Sequence, residues 1–248
     1  MLSLDGIKKM DYLFQLSPVN NDFVGIHGDI IKHYGKAERV AIIAFNTDFA
    51  REYTVQAEQV WPEMMPGVEV QSFFVEVSKM DLMPELLQIR RFDPQFLWVL
   101  LTGPQSYQFV DQFHATGMIK NMLVLGDSIY GSELFRSKNG DKVDYHFANA
   151  ITQKKPITDL TIPFYEAFNE KVGFNPPYYA VQTYDGMLMM LEGLRRMSGV
   201  TGDVAKDREA LRDALVSIDD GAPALGARGE LAFSSLETGR RVAVTPVI

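Results

Sequence analysis

In the first half of the chain, continuous apolar runs alternate with segments in which apolar residues recur at helical spacing. Short apolar runs rich in Val, Ile, Leu and Phe have the character of strands buried on both faces. Such runs occur within residues 39–49, 68–76, 95–104 and 122–126. Between them, apolar residues recur at helical spacing, as with Tyr53, Ala57 and Trp61. The runs begin roughly 27 residues apart, which predicts an α/β fold with a Rossmann-like parallel sheet flanked by helices.

The flanking regions extend this pattern and then depart from it. YLFQLSP and a helix over about 22–34 predict one further strand-helix unit before the first run. After Asp144 the pattern predicts a short extended piece, then helices over 161–172, 178–197 and 207–218, and a hairpin of GELAFSS with RRVAVTPVI. The middle helix carries Met187, Leu191 and Leu194 on a wide apolar face. Three successive amphipathic helices form a bundle or need a sheet that lies elsewhere, because the predicted sheet already has its own crossover helices.

Composition and charge exclude several kinds of function for this chain. The chain has 248 residues, 46% hydrophobic and 23% charged, which is typical of a folded protein. A net charge of −8 with only isolated basic pairs argues against a nucleic-acid partner. The chain has no cysteine, and its four histidines lack the spacing of zinc ligands, so no metal site is predicted. The apolar runs are too short to cross a bilayer, and the amino-terminal stretch lacks the apolar core of a secretory signal.

Polar, turn-forming residues follow three of the predicted strands. They are Asp48 and Phe49 after the first run, Thr102 and Gly103 after the third, and Asp127 and Ser128 after the fourth. Each group could be an ordinary turn. In an open parallel sheet, however, these ends share one edge, and ligands bind there. A carboxylate, a hydroxyl, an aromatic wall and a glycine that lets a ligand approach the backbone suit a small molecule carrying an ammonium group.

The same residues fit catalysis poorly. The sequence contains no G-x-S-x-G frame, no G-x-G-x-x-G and no phosphate-binding G-x-x-x-x-G-K-[ST]. We therefore predict no catalytic residue and no cofactor. A small α/β enzyme that uses Asp48 or Asp127 as acid or base remains an open alternative.

Several segments, taken in order, resemble one known family. ERVAIIAFNTDFARE, DPQFLWVLLTGP, LVLGDS, a helix containing Tyr-Asp, and GARGELAFSSLETG are similar to segments of the periplasmic leucine/isoleucine/valine-type solute-binding proteins of branched-chain amino-acid ABC transporters. The resemblance implies a periplasmic protein with the type I periplasmic binding protein fold. Its ligand would be an amino acid or a similar small polar solute, and its partner an ABC permease in the membrane. The family's binding roles then fall on Phe49, Thr102 and Asp127, with Asp127 taking the ligand's amino group.

The resemblance also suggests how the chain divides. Residues 1–150 would form the second, carboxyl-terminal lobe, and residues 151–235 would supply helices and a strand to the first lobe. Residues 236–248 would return to the second lobe. About 100 residues of first-lobe sheet, a domain's worth, would then be absent, which makes the chain a fragment of an exported parent and accounts for the missing signal peptide. A ligand-sensing regulatory module of the same fold, with a cytoplasmic partner, is the alternative.

Overall fold

The structure, a computed structural model, describes residues 10–17, 20–35, 37–120, 122–144, 146–148, 154–235 and 242. They form two compact units. The sheet unit comprises the described residues of Asn20–Ala150, and the helical unit comprises residues 10–17 and 154–235 with Val242.

The sheet unit is a five-stranded parallel sheet with strand order β2-β1-β3-β4-β5. Its strands are β1 (Arg39–Phe45), β2 (Glu69–Val75), β3 (Phe96–Leu100), β4 (Leu123–Gly126) and β5 (His146–Ala148). Its helices are α1 (Asn20–Tyr34), α2 (Asp48–Met64), α3 (Met83–Phe92), α4 (Pro104–Thr116) and α5 (Glu133–Asn139), with 3-10 helices at Met118–Lys120, Ser128–Gly131 and Gly140–Val143. The predicted parallel sheet flanked by helices is confirmed.

Both faces of this sheet are covered, which explains the continuous apolar runs in the sequence. Residues 40–44 of β1 have no solvent exposure. One core contains Trp61 and Trp98 with apolar residues of α1 and α2. The opposite core contains Phe109 and Phe113 with residues of α3 and α5. Strands that are covered on both faces are rich in β-branched and other apolar residues and do not alternate with polar ones.

The helical unit consists of three helices and a short hairpin. The helices are α6 (Thr161–Val172), α7 (Tyr178–Arg196) and α8 (Val204–Val216), and the antiparallel hairpin joins β6 (Ala224–Gly226) to β7 (Gly229–Leu231). A buried ion pair ties α7 to the hairpin. The Arg228 Nε atom donates to Asp185 Oδ2 at 2.6 Å, and the Ala227 N–H donates to Asp185 Oδ1 at 2.6 Å.

The face that α7 buries differs from the predicted one. Val181, Asp185, Met189 and Gly193 are buried at a four-residue spacing. Met187, Leu191 and Leu194 of the predicted apolar face are instead exposed. The ion pair and the hairpin select the buried face, because they hold the side of α7 that carries Asp185.

The first described segment also lies elsewhere than predicted. The described part of YLFQLSP, residues 12–17, does not form a strand of the five-stranded sheet. Phe14 and Leu16 pack into the core of the helical unit with Met189, Leu215 and Phe233. Residues 10–17 therefore fall with the helices and not with residues 20–148, which differs from the assignment of 1–150 to one lobe.

The end of the chain is described only in part. Phe233 and Val242 form an antiparallel bridge, and the Val242 N–H donates to the Gln15 carbonyl at 2.9 Å. The rest of 236–248, predicted to return to the second lobe, lies outside the described residues, and Val242 itself pairs within the helical unit. The sequence pattern missed the tight β6–β7 hairpin. Among the described helices, none has the length and apolar character needed to cross a membrane.

Candidate functional site

The three polar segments leave the sheet at the same edge. β3 pairs in parallel with β1 on one side and with β4 on the other, and β2 lies beyond β1. The chain passes from β1 to β2 on one side and then crosses to β3 on the other side of β1. The gap between β1 and β3 is therefore the topological switch point, the place at which open α/β sheets bind ligands. The segments after β1, β3 and β4 carry all six predicted site residues.

The segment after β1 turns directly into α2. The Thr47 side chain caps this helix by accepting the N–H of Ala50 at 3.3 Å. Asp48 is exposed in the first turn, where a carboxylate interacts favourably with the helix dipole. The Phe49 ring is 41% exposed and packs edge-on against Tyr53, with ring centroids 5.0 Å apart. The Phe49 ring is thus exposed and held by a second aromatic ring, and its role as an apolar wall for a ligand stays a prediction.

The segment after β3 has a backbone that requires glycine. Gly103 has φ 64° and ψ −147°, a conformation that other residues avoid. Its carbonyl accepts the Ser106 hydroxyl at 2.7 Å at the start of α4. Thr102 and Gly103 are both exposed, so a ligand can reach the hydroxyl and the backbone.

The segment after β4 forms a turn, and this turn carries the half-buried carboxylate of Asp127. Asp127 Oδ1 accepts the Ser128 N–H at 2.6 Å, and the Asp127 carbonyl accepts the Tyr130 N–H at 2.9 Å. Gly126 must be glycine, because a Cβ there would lie 2.2 Å from Cγ of Tyr130. The turn therefore holds the Asp127 carboxylate in one place at the edge of the sheet, and the turn and binding interpretations are compatible.

The sheet unit contains three titratable side chains with buried polar atoms, His27, Tyr130 and His146, and the sequence analysis did not single them out. Burial lowers the pKa of His27, and the Asp127 carboxylate partly opposes that effect. Burial raises the pKa of Tyr130 well above its usual range, and Asp127 adds to the rise. Burial also lowers the pKa of His146 to about 4. The helical spacing of Phe23, His27 and Ile30 could have indicated that His27 faces the sheet.

Within the described ranges, no three His, Asp or Glu side chains come close enough to hold a metal ion. Asp48 and Asp127 follow different strands, and each has a local structural role, as a helix first-turn residue and as a turn acceptor. This arrangement can hold a polar ligand through a carboxylate, a hydroxyl and backbone groups.

The fold places the chain among α/β proteins with an open parallel sheet, a class in which ligands generally bind where the strands end. Comparison with protein families identifies the family, because the periplasmic binding protein model matches residues 3–245. The chain belongs to the periplasmic binding protein family, and the resemblance drawn from the sequence is confirmed. Comparison with curated proteins gives no match.

Solved structures with the same fold include binding proteins for two kinds of ligand. A leucine-binding protein of Thermotoga maritima is 15% identical with a TM-score of 0.82, and the match covers 98% of this chain and 66% of that one. A branched-chain amino-acid transporter binding protein of Streptococcus pneumoniae, in complex with isoleucine, is 15% identical with a TM-score of 0.78, covering 97% and 64%. A solute-binding protein of R. palustris in complex with benzoate is 16% identical with a TM-score of 0.80, covering 97% and 67%.

Membership of a family of binding proteins agrees with the prediction that the chain is not an enzyme. The solved relatives give no support to the alternative of a regulatory module with a cytoplasmic partner. The chain spans only about two thirds of their length, between 64% and 67% for these three.

Proposed function

We propose that this chain is part of the solute-binding subunit of an ABC importer, and that it binds an amino acid at the carboxyl edge of its parallel sheet. The parent protein would lie in the periplasm and deliver its ligand to a membrane permease without chemical change. Family membership supports the general role, and the leucine- and isoleucine-binding relatives support the ligand class.

The observation that carries the ligand class is the Asp127 carboxylate. It is half-buried, and the Ser128 N–H holds one of its oxygens. A carboxylate accepts through both oxygens, and a partly desolvated one is most stable next to a cationic donor. The ammonium group of an amino acid provides that donor. Benzoate, the ligand of one relative, has no cationic group and would be repelled by the same carboxylate.

The other five residues complete the proposed contact surface. The Phe49 ring would contact the apolar part of the ligand, and the Thr102 hydroxyl and the Gly103 backbone would contact polar groups. Asp48 and Ser128 would line the edge beside them. We assign the sheet unit to one ligand-binding lobe of the parent protein and the helical unit to the other.

The test is calorimetric titration of the chain with L-leucine and, separately, with benzoate. Asp127→Asn keeps the shape of the side chain and removes its charge. Loss of a charged hydrogen bond costs about 1.5–3 kcal/mol, so leucine affinity should fall by about tenfold to more than a hundredfold, while benzoate binding should not weaken.

The matched control is Asp111→Asn on α4, which removes the same charge from an exposed ion pair with Lys142. This variant should bind leucine as the unaltered chain does. Equal leucine affinity in the Asp127→Asn variant would refute the assigned role of Asp127.

A further inference from the structure

The turn after β3 is contacted by two buried polar residues from the first turn of α4. Gly103 is the N-cap of this helix, with φ 64° and ψ −147°. Glycine has no side chain to restrict it, so such a turn has other conformations open to it. Gln105 and Ser106 are polar, yet only 9% and 0% exposed. Buried polar side chains need hydrogen-bond partners, and both of these residues find them around the turn.

Ser106 binds the Gly103 carbonyl twice. Its hydroxyl donates to that oxygen at 2.7 Å, and its N–H donates to the same oxygen at 3.2 Å. A carbonyl oxygen has two lone pairs, so both are in use. These bonds fix the orientation of the peptide group between Gly103 and Pro104. The polar backbone atom that Gly103 can still offer to a ligand is therefore its N–H.

Gln105 ties the same turn to the connection between β2 and α3. Its Nε2 atom donates to the Val77 carbonyl. Its Oε1 atom lies 3.9 Å from the place where a Cβ on Gly103 would be. The Gln105 side chain therefore bridges the turn after β3 and the chain after β2. Gln112, two turns further along α4, binds the same connection through the Met80 carbonyl at 2.8 Å.

We propose that Ser106 and Gln105 are positioning residues that hold the Thr102–Gly103 segment in its ligand-binding conformation before a ligand arrives. Without them, the freedom of the glycine would let the segment occupy other conformations. Only a fraction of the molecules would then present the Thr102 hydroxyl and the Gly103 N–H together, and the apparent affinity would fall by that fraction. The inference rests on the proposed function and adds two residues that act through Thr102 and Gly103.

The first test is calorimetric titration of Ser106→Ala with L-leucine. This variant removes the hydroxyl and keeps the N–H, and the loss of one hydrogen bond corresponds to an affinity about two- to tenfold lower. Ser137→Ala on α5 is the matched control, because the Ser137 hydroxyl also donates to the carbonyl three residues earlier, that of Leu134, at 3.0 Å. The control should bind leucine as the unaltered chain does. Equal affinities in the two variants would overturn the role of Ser106.

The role of Gln105 is tested by a pair of variants on the same helix. Gln105→Met keeps the length of the side chain and removes its hydrogen bonds, and we expect a decline in leucine affinity of similar size. Gln112→Met removes bonds to the same connection but leaves the Gly103 turn untouched, so its leucine affinity should be unchanged even where its melting temperature falls. An equal decline in both variants would overturn the assignment of Gln105.

A double-mutant cycle separates positioning from a general effect on stability. Thr102→Val removes the hydroxyl that would meet the ligand and keeps the shape of the side chain. If Ser106 acts through this segment, Ser106→Ala should weaken leucine binding less in the Thr102→Val chain than in the unaltered chain, because one contact that it orients is already gone. The same fold-change in both chains would overturn the inference.

A further measurement needs no ligand. NMR relaxation dispersion should show the Gly103 amide exchanging between conformations in Ser106→Ala and not in Ser137→Ala. A Gly103 amide without exchange in either variant would overturn the proposed holding of the turn. Failure of leucine to bind the unaltered chain would instead refute the proposed function. Leucine binding that is unchanged in both Ser106→Ala and Gln105→Met would refute this inference alone.

Discussion

Acidification should destabilise the sheet unit through His146. This histidine lies on β5 beside the rings of Phe109, Phe113 and Tyr130, at centroid distances of 6.4, 6.2 and 6.0 Å. Both ring nitrogens are buried without a hydrogen-bond partner among the described residues. A charged imidazolium would be poorly solvated there, which is why the pKa falls from 6.5 to about 4.

The size and sign of the effect follow from that pKa. The folded state holds His146 neutral, so the unfolded chain takes up the proton first as the pH falls. Stability is therefore complete above pH 6.5 and is lost between 6.5 and about 4. At about 1.4 kcal/mol per pKa unit, the loss from His146 amounts to about 3 kcal/mol at pH 4.

Urea unfolding followed by tryptophan fluorescence measures this loss. The only two tryptophans of the sequence, Trp61 and Trp98, are both buried in the sheet unit and report on it alone. His146→Phe suits the aromatic surroundings and removes the titrating group, so its free energy of unfolding should vary with pH by about 3 kcal/mol less than that of the unaltered chain. His27 acts in the same direction and is retained in both chains, so it cancels in the difference. An identical pH dependence for the two chains would refute the reasoning.

Three further outcomes follow from close packing, charge and exposure. Gly126→Ala should lower the free energy of unfolding by about 1–3 kcal/mol in the same assay, because its methyl group meets the Tyr130 ring at 2.2 Å; Gly25→Ala, where the added methyl meets nothing within 4 Å, should not destabilise the chain. Asp185→Ala should destabilise the helical unit by about 3–5 kcal/mol in thermal unfolding followed by circular dichroism, because it leaves the buried Arg228 charge uncompensated; an unchanged melting temperature would contradict that role. The exposed apolar face of α7, with Met187, Leu191 and Leu194 at 58%, 52% and 45% exposure, should bind a hydrophobic dye, and Leu191→Glu should weaken the fluorescence; a chain that ignores the dye would contradict this exposure.

The sheet unit was predictable because its signals are local and repeated. Buried strands need continuous apolar runs, and helix ends need particular residues. Thr47 caps α2, and Gly117 at φ 71° ends α4, a conformation that glycine adopts readily. The edge location of Asp48, Thr102 and Asp127 followed from parallel topology alone, because parallel strands all end on the same side.

The helical unit was less predictable because its partners are distant in sequence. Nothing near Asp185 indicates that it is buried, since its partner Arg228 lies 43 residues further along. This ion pair holds the Asp185 side of α7 against the hairpin and leaves Met187 and Leu191 exposed, whereas the hydrophobic pattern predicted that they would be buried. YLFQLSP reads as a strand in isolation, and only tertiary packing against Phe233 and Met189 shows which unit it belongs to.

The most direct test of the central claim is to map where leucine binds by NMR. Backbone amide signals of the chain would be followed during titration with L-leucine, and again in the Asp127→Asn variant. The account predicts that the largest shift changes fall on residues 47–49, 102–103 and 127–129, and that they weaken strongly in the variant. Shift changes confined to the helical unit, or equally large changes at the sheet edge in Asp127→Asn, would contradict it.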